Sequence, residues 1–102
     1  MEVNDFAKYV LNNIARATLG NALKISDKLD NTEYYSFKDF IKCFEESVTE
    51  ALQAQKIDIQ KCYALLTLTS NAAKMYDAQI NYSKIFIIND FIINVWRVMN
   101  GY

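Results

Sequence analysis

Apolar residues recur along this chain at alternating steps of three and four, the rhythm of amphipathic helices. Val3, Ala7, Val10, Ile14 and Ala17 lead to Asn21 in the first stripe, which Phe6, Leu11 and Ala22 widen. The spacing predicts one helix from about residue 4 to the mid-20s, with Asn4 or Asp5 capping its start. Gly20 falls inside it, at a cost of up to about 1 kcal/mol relative to Ala. The alternative is a break at Leu19-Gly20-Asn21, or a point of close helix approach. Residues 29–35 lose the rhythm and read as a loop. Ser36 is then placed to cap a second helix, in which Phe37, Phe40, Ile41, Phe44, Val48 and Ala51 share one face. Lys38, Lys42, Glu45, Glu46 and Glu50 make the opposite one.

Asp58 is a good N-cap for a third helix, with Ile57 and Cys62 spaced as a hydrophobic staple. Ile59, Cys62, Leu66, Thr69 and Ala73 carry this helix to about Ala78, and the weak formers Thr67-Leu68-Thr69-Ser70 suggest a kink. After a second loop at residues 80–83, Ile85, Ile88, Ile92, Val95 and Met99 resume the rhythm, with Asn100-Gly101 as the stop. The β-branched run Ile85-Phe86-Ile87-Ile88 is also compatible with a strand, but length and lack of breakers favour a helix. Apolar on more than one face, this segment is expected to be the most buried of four helices.

The lettering of the chain also repeats. Asn21-Ala22-Leu23-Lys24-Ile25-Ser26-Asp27 shares its Asn, Ala, Lys and Asp with Asn71-Ala72-Ala73-Lys74-Met75-Tyr76-Asp77, at an offset of 50. The face Phe37/Ile41/Phe44/Val48 maps at an offset of 51 onto Ile88/Ile92/Val95/Met99. An internal repeat fixes a fold before any single residue does. The expectation is therefore an all-α single domain of two quasi-equivalent helix–loop–helix motifs, residues 1–52 and 53–102, sharing one core. Chance agreement between amphipathic helices is the competing explanation. The first helices align better at 52 or 53, which would require gaps.

Composition narrows the function more than it identifies it. The 102 residues contain no Pro and two Gly, which favours long helices over a turn-rich sheet. Residues 1–28 carry four basic and three acidic groups, 29–55 two and six, and 56–102 five and three. That distribution suits pairing of halves, or a basic partner, and lacks the basic footprint of a nucleic-acid binder. The polar, acidic start Met1-Glu2-Val3-Asn4-Asp5 is unlike a secretory signal. The apolar run 85–98 is too short and too polar to span a bilayer. An intracellular location is expected, with Cys43 and Cys62 as thiols; a disulfide between them is the alternative.

Candidate chemistry is thin. With no His and no CxxC spacing, the commonest zinc ligands are missing, and Glu45, Glu46 and Glu50 fit a solvated ridge better than a metal cage. Neither cysteine has an obvious base, and no glycine loop cradles a phosphate. No enzyme, metal or cofactor is expected. Lys24/Asp27 and Lys74/Asp77 read as surface ion pairs near helix ends. The aromatics are more telling, because Tyr and Trp bury area yet keep a polar handle. Tyr34, Tyr35 and Tyr82 fall in the two loops and Trp96 near the end of the last helix. Together with Phe37 and Phe86 they are the expected partner-binding residues, flanking a groove between the halves.

The duplicated Asn-Ala-x-Lys-x-x-Asp and the Tyr/Ile/Asn-rich stretch from Ile80-Asn81-Tyr82 to Asn94 resemble the small orphan proteins of filamentous viruses of hyperthermophilic archaea. The resemblance implies an intracellular viral interaction module, in host cytoplasm. It also bears on the disulfide question, since such hosts tolerate intracellular disulfides. The expected function is protein–protein interaction, binding a peptide or partner segment in the groove. The alternative is a nucleic-acid-associated or structural viral protein acting as a homodimer.

Overall fold

A computed structural model describes residues 2–30, 35–78 and 83–101, with the side chain of residue 30 excepted. Among these residues every regular element is helical. α1 spans Val3–Asn13, α2 Leu19–Asp30, α3 Phe37–Gln53, α4 Ile59–Ala78 and α5 Lys84–Met99, with a 3-10 turn at Ile14–Arg16.

Five helices stand where the apolar rhythm predicts four, because the first is broken. The break lies between Asn13 and Leu19, ahead of the Leu19-Gly20-Asn21 alternative. Ile14–Arg16 tightens into the 3-10 turn and Ala17 turns extended, at φ −82° and ψ 149°. Thr18 then caps α2, its Oγ1 accepting from the Asn21 N–H at 3.2 Å. The inward register slips by one position across the break. Ala22, Ser26 and Leu29 are buried and Ile25 is half-buried, whereas Asn21 faces solvent. Gly20 sits in the first turn of α2, where an added Cβ would meet only the Thr18 Oγ1 at 4.0 Å. Neither Asn4 nor Asp5 caps α1: both lie inside the helix, and Glu2 is the N-cap without a side-chain bond.

The later boundaries follow local chemistry. The Ser36 Oγ accepts from the Asp39 N–H at 3.4 Å, and the Asp58 Oδ1 accepts from the Lys61 N–H at 2.7 Å. α2 extends to Asp30, into the stretch expected to be a loop. α3 ends in a Schellman motif: the Lys56 N–H donates to the Ala51 carbonyl and the Gln55 N–H to that of Leu52, with Gln55 left-handed at φ 60°. α4 runs through Thr67-Leu68-Thr69-Ser70 as one helix. Thr67 donates to the Tyr63 carbonyl at 2.9 Å and Thr69 to that of Leu66 at 2.7 Å, so both hydroxyls are satisfied inside the helix. The Ile85–Ile88 run is helical, capped by Ser83, whose Oγ accepts from the Phe86 N–H at 3.3 Å.

α1 packs on α3, α3 on α4, α4 on α5 and α5 on α2, in an open series around one core. α3 is the most buried element, with Phe37, Phe40, Ile41, Phe44, Ser47, Val48 and Ala51 enclosed. α5, expected to hold that place, encloses Ile87, Ile88, Phe91, Ile92 and Val95 but leaves Ile85 and Phe86 at the surface. Phe91 crosses the core to meet α3, its ring edge-on to Phe37, Phe40 and Phe44 at centroid distances of 5.8, 6.4 and 5.7 Å. The Ser36 and Ser83 caps are 47 residues apart, whereas the apolar faces of α3 and α5 match at 51. α5 thus starts one turn earlier than a strict repeat would have it, and Ile85 and Phe86 lie on that extra turn.

Candidate functional site

A groove runs along the crease between α3 and α4, where residues 1–52 meet residues 53–102. Its volume is about 350 Å³. Phe37, Ile41, Ala73 and Tyr76 supply the apolar floor, and Lys38, Asp39, Lys42, Glu45 and Asp77 supply charges of both signs around it. The placement follows from helical periodicity: Lys38 and Lys42 flank the buried Phe37/Ile41 stripe, while Ala73, Tyr76 and Asp77 come from the facing last turns of α4. The Lys38 Nζ and Asp77 Oδ1 form an ion pair at 2.7 Å. This bond, followed by the charge of Asp77, raises the Lys38 pKa above its ordinary value. Both partners are more than half exposed, so the pair closes the groove only weakly. Asp77 therefore pairs across to α3, in place of the i,i+3 pairing with Lys74. Lys8 with Glu50 at 3.9 Å is the other ion pair among the described residues.

A second cavity of about 230 Å³ opens beside the groove, at the end of the bundle. Leu29, Tyr35, Ser36, Lys84 and Ile88 line it. Phe37 and Tyr76 form the wall shared by the two spaces, their rings 5.0 Å apart. The Lys84 Nζ lies over the Tyr76 ring at 4.8 Å, a cation–π contact that fixes the tyrosine from the α5 side.

Of the six expected partner-binding residues, Tyr35 and Phe37 come together here, though neither presents a free ring. Tyr35 is half-buried and stacks on Phe6 at 4.5 Å, and Phe37 is 2% exposed. Phe86, 50% exposed, stands on the first turn of α5 and lines neither space. Trp96 is near the other end of α5, about 15 Å from Phe86 along the axis. Its indole N–H donates to the Ala17 carbonyl at 2.8 Å, across the break between α1 and α2. Tyr34 and Tyr82 lie outside the described residues. Tyr76, Ala73 and Lys38 are the lining residues that sequence reasoning passed over. Their signal was positional: Lys38 and Tyr76 sit within a turn of a helix end, and Ala73 lies one turn before Tyr76.

The groove combines an apolar floor with charges of both signs, and neither cysteine lines it. Cys43 and Cys62 are both thiols. Burial, then the carboxylates of Glu46 and Asp39, pushes the Cys43 pKa up, opposite to what an activated nucleophile needs. Among the described residues no three His, Cys, Asp or Glu side chains gather as metal ligands, and no helix is long and apolar enough to cross a membrane. Comparison of the chain with protein-family models, curated proteins and solved structures found no match in any of the three.

Proposed function

We propose that this chain is a non-enzymatic protein–protein interaction module that binds a peptide or partner segment in the groove between α3 and α4. The observation that carries this reading is an apolar floor framed by charges of both signs, at the junction of the two halves. Such a composition matches how partner segments are held: one or two apolar side chains anchor, and rim charges set direction. At about 350 Å³ the groove is at the small end of the range for ligand clefts, roughly 300–1,000 Å³. It therefore suits one or two anchor side chains better than an entire cofactor. A partner carboxylate would be drawn to Lys38 and Lys42, and a partner cation to Glu45. The exposed Lys38–Asp77 pair costs little to exchange for such contacts.

The quasi-equivalence of the two halves belongs to the same proposal. Ala22 and Ala72, matched by the repeat, are both buried, and each lies in the helix preceding a capped one. In this reading the groove is the seam of a duplicated unit, and the viral resemblance supplies its setting as a small intracellular docking protein.

The test is selection of binding peptides from a random display library with the full-length chain, followed by Ala73→Leu, which fills the groove floor. Selected peptides carrying a large apolar anchor, with affinity reduced tenfold or more by Ala73→Leu while circular dichroism is unchanged, support the reading. Peptides that bind the filled groove equally well, or a selection that returns none, overturn it.

A further inference from the structure

The turn that ends α5 holds the one Asn-Gly pair of the chain, Asn100-Gly101. Beyond stopping the helix, this pair has a reactivity of its own. A backbone nitrogen that reaches the side-chain carbonyl carbon of the preceding asparagine can close a cyclic imide. Glycine opposes the closure least, because it has no Cβ to crowd the approach and turns freely. Every other asparagine of the chain precedes a residue with a side chain.

The closed turn keeps the reacting groups apart. Asn100 has φ −99° and ψ 2°. At that ψ the Gly101 nitrogen eclipses the nitrogen of Asn100 and stands away from its Cβ, out of reach of Cγ. The attacking group is also occupied, since the Gly101 N–H donates to the Val98 carbonyl at 3.2 Å. The departing group is tied as well: the Asn100 Nδ2 donates to the Trp96 carbonyl at 2.8 Å. These bonds are nevertheless the last of the helix, where opening is easiest. Gly101 is exposed and left-handed at φ 78°, and a Cβ added there would meet nothing within 4 Å, so no described element braces the turn from that side.

We propose that Asn100-Gly101 is a gated self-modification site, inert while the last turn of α5 is closed and converted to aspartate or isoaspartate when it opens. In the opened turn, solvent base takes the Gly101 amide proton and the nitrogen attacks the Asn100 Cγ. The new N–Cγ bond forms, the Cγ–Nδ2 bond breaks, and the side-chain nitrogen takes up a proton and leaves as ammonia. Water then adds to either carbonyl of the imide and breaks its C–N bond, which gives the two products without any oxidation or reduction. The change is one-way in its consequences. A carboxylate cannot donate to the Trp96 carbonyl, and it places negative charge at the negative end of the α5 dipole. Arg97, one turn back, offsets part of that charge but does not replace the lost donor. Modification therefore holds the turn open beside Trp96, the residue whose indole N–H ties α5 to Ala17. None of this depends on the groove between α3 and α4.

The test incubates the full chain at mildly alkaline pH, folded and in urea, and follows isoaspartate at position 100 by peptide mapping with mass spectrometry. Product is expected in urea, with the folded chain slower by about tenfold or more because it reacts only through its open fraction. Trp96→Phe keeps an aromatic ring and removes the tie to Ala17; it should speed conversion of the folded chain several-fold and leave the rate in urea unchanged, with circular dichroism showing the fold retained. No product in urea overturns the site, and equal rates folded and unfolded overturn the gating. A folded rate unmoved by Trp96→Phe overturns the link to the Ala17 tie. Asn100→Asp reproduces one product, and amide exchange of residues 97–101 should quicken in it. Exchange equal to the parent's overturns the claim that modification holds the turn open.

Discussion

Phe91 is the α5 side chain whose ring meets three phenylalanines of α3, and replacing it tests the core directly. It is 2% exposed and meets three α3 phenylalanines at interplanar angles of 80°, 84° and 81°. Phe91→Ala removes a fully buried ring and leaves a cavity between helices fixed by their other neighbours, for which about 3–5 kcal/mol is the usual cost. Phe91→Leu keeps most of the volume and discards the edge-to-face geometry. Each such pair is worth about 0.5–1.5 kcal/mol, and three sharing one ring fall short of additivity, so roughly 1.5–3 kcal/mol is expected. Phe86→Ala, at a half-exposed ring on the same helix, should cost about 1 kcal/mol or less. Urea unfolding followed by circular dichroism reads all three as midpoint shifts at constant slope. A domain of this size has about 5–15 kcal/mol in hand, so Phe91→Ala should remain folded in water but unfold at markedly lower urea. An Ala variant costing under about 2 kcal/mol, or a Leu variant indistinguishable from the parent, would refute the central role given to this ring.

Three further substitutions probe other features. Gln55 is held left-handed at φ 60° by the Schellman motif, so Gln55→Gly should stabilise by about 1 kcal/mol; a destabilised variant in the same urea assay would contradict the strain argument. The Ser26 Oγ is buried without a hydrogen-bond partner among the described residues, and Ser26→Ala should raise the thermal midpoint, corresponding to about 0.5–1.5 kcal/mol. The raised Cys43 pKa gives a pH dependence of definite sign: above the ordinary thiol value the unfolded chain releases a proton that the folded chain retains. The contribution of Cys43 is constant below that value and falls as pH rises through it toward the folded pKa. Cys43→Ala should flatten part of the alkaline loss of stability, and Cys43 in the folded parent should alkylate several-fold more slowly than in urea, read by mass spectrometry of its peptide.

Most of the fold is legible in the sequence where local chemistry and periodicity agree. Ser36 and Asp58 mark their helix starts, α3 buries the stripe that its spacing indicates, and α5 buries Ile88, Ile92 and Val95 of its own while Ile85 stays at the surface. The break after Asn13 was masked by coincidence. Ile14 and Ala17 keep the apolar rhythm through a turn that is not α-helical, and only Thr18 as a cap and the displaced stripe at Ala22, Ile25 and Leu29 betray it. The candidate site was harder to read because it depends on how α3 and α4 are set against each other. Phe37 could be placed on a face from sequence, but Tyr76 could not be placed beside it. Nor could sequence show that Trp96 spends its N–H on Ala17.

That interruption also changes what the molecule can do as a body. A continuous first helix would act as a lever, so that lifting it from α3 would also pry it from α5. With the 3-10 turn and extended Ala17 between them, α1 serves α3 and α2 serves α5 as separate units, joined through a short turn that Trp96 pins to α5. Partial opening then has a natural boundary at residues 14–18, and α1 can detach as a unit while α2 stays docked.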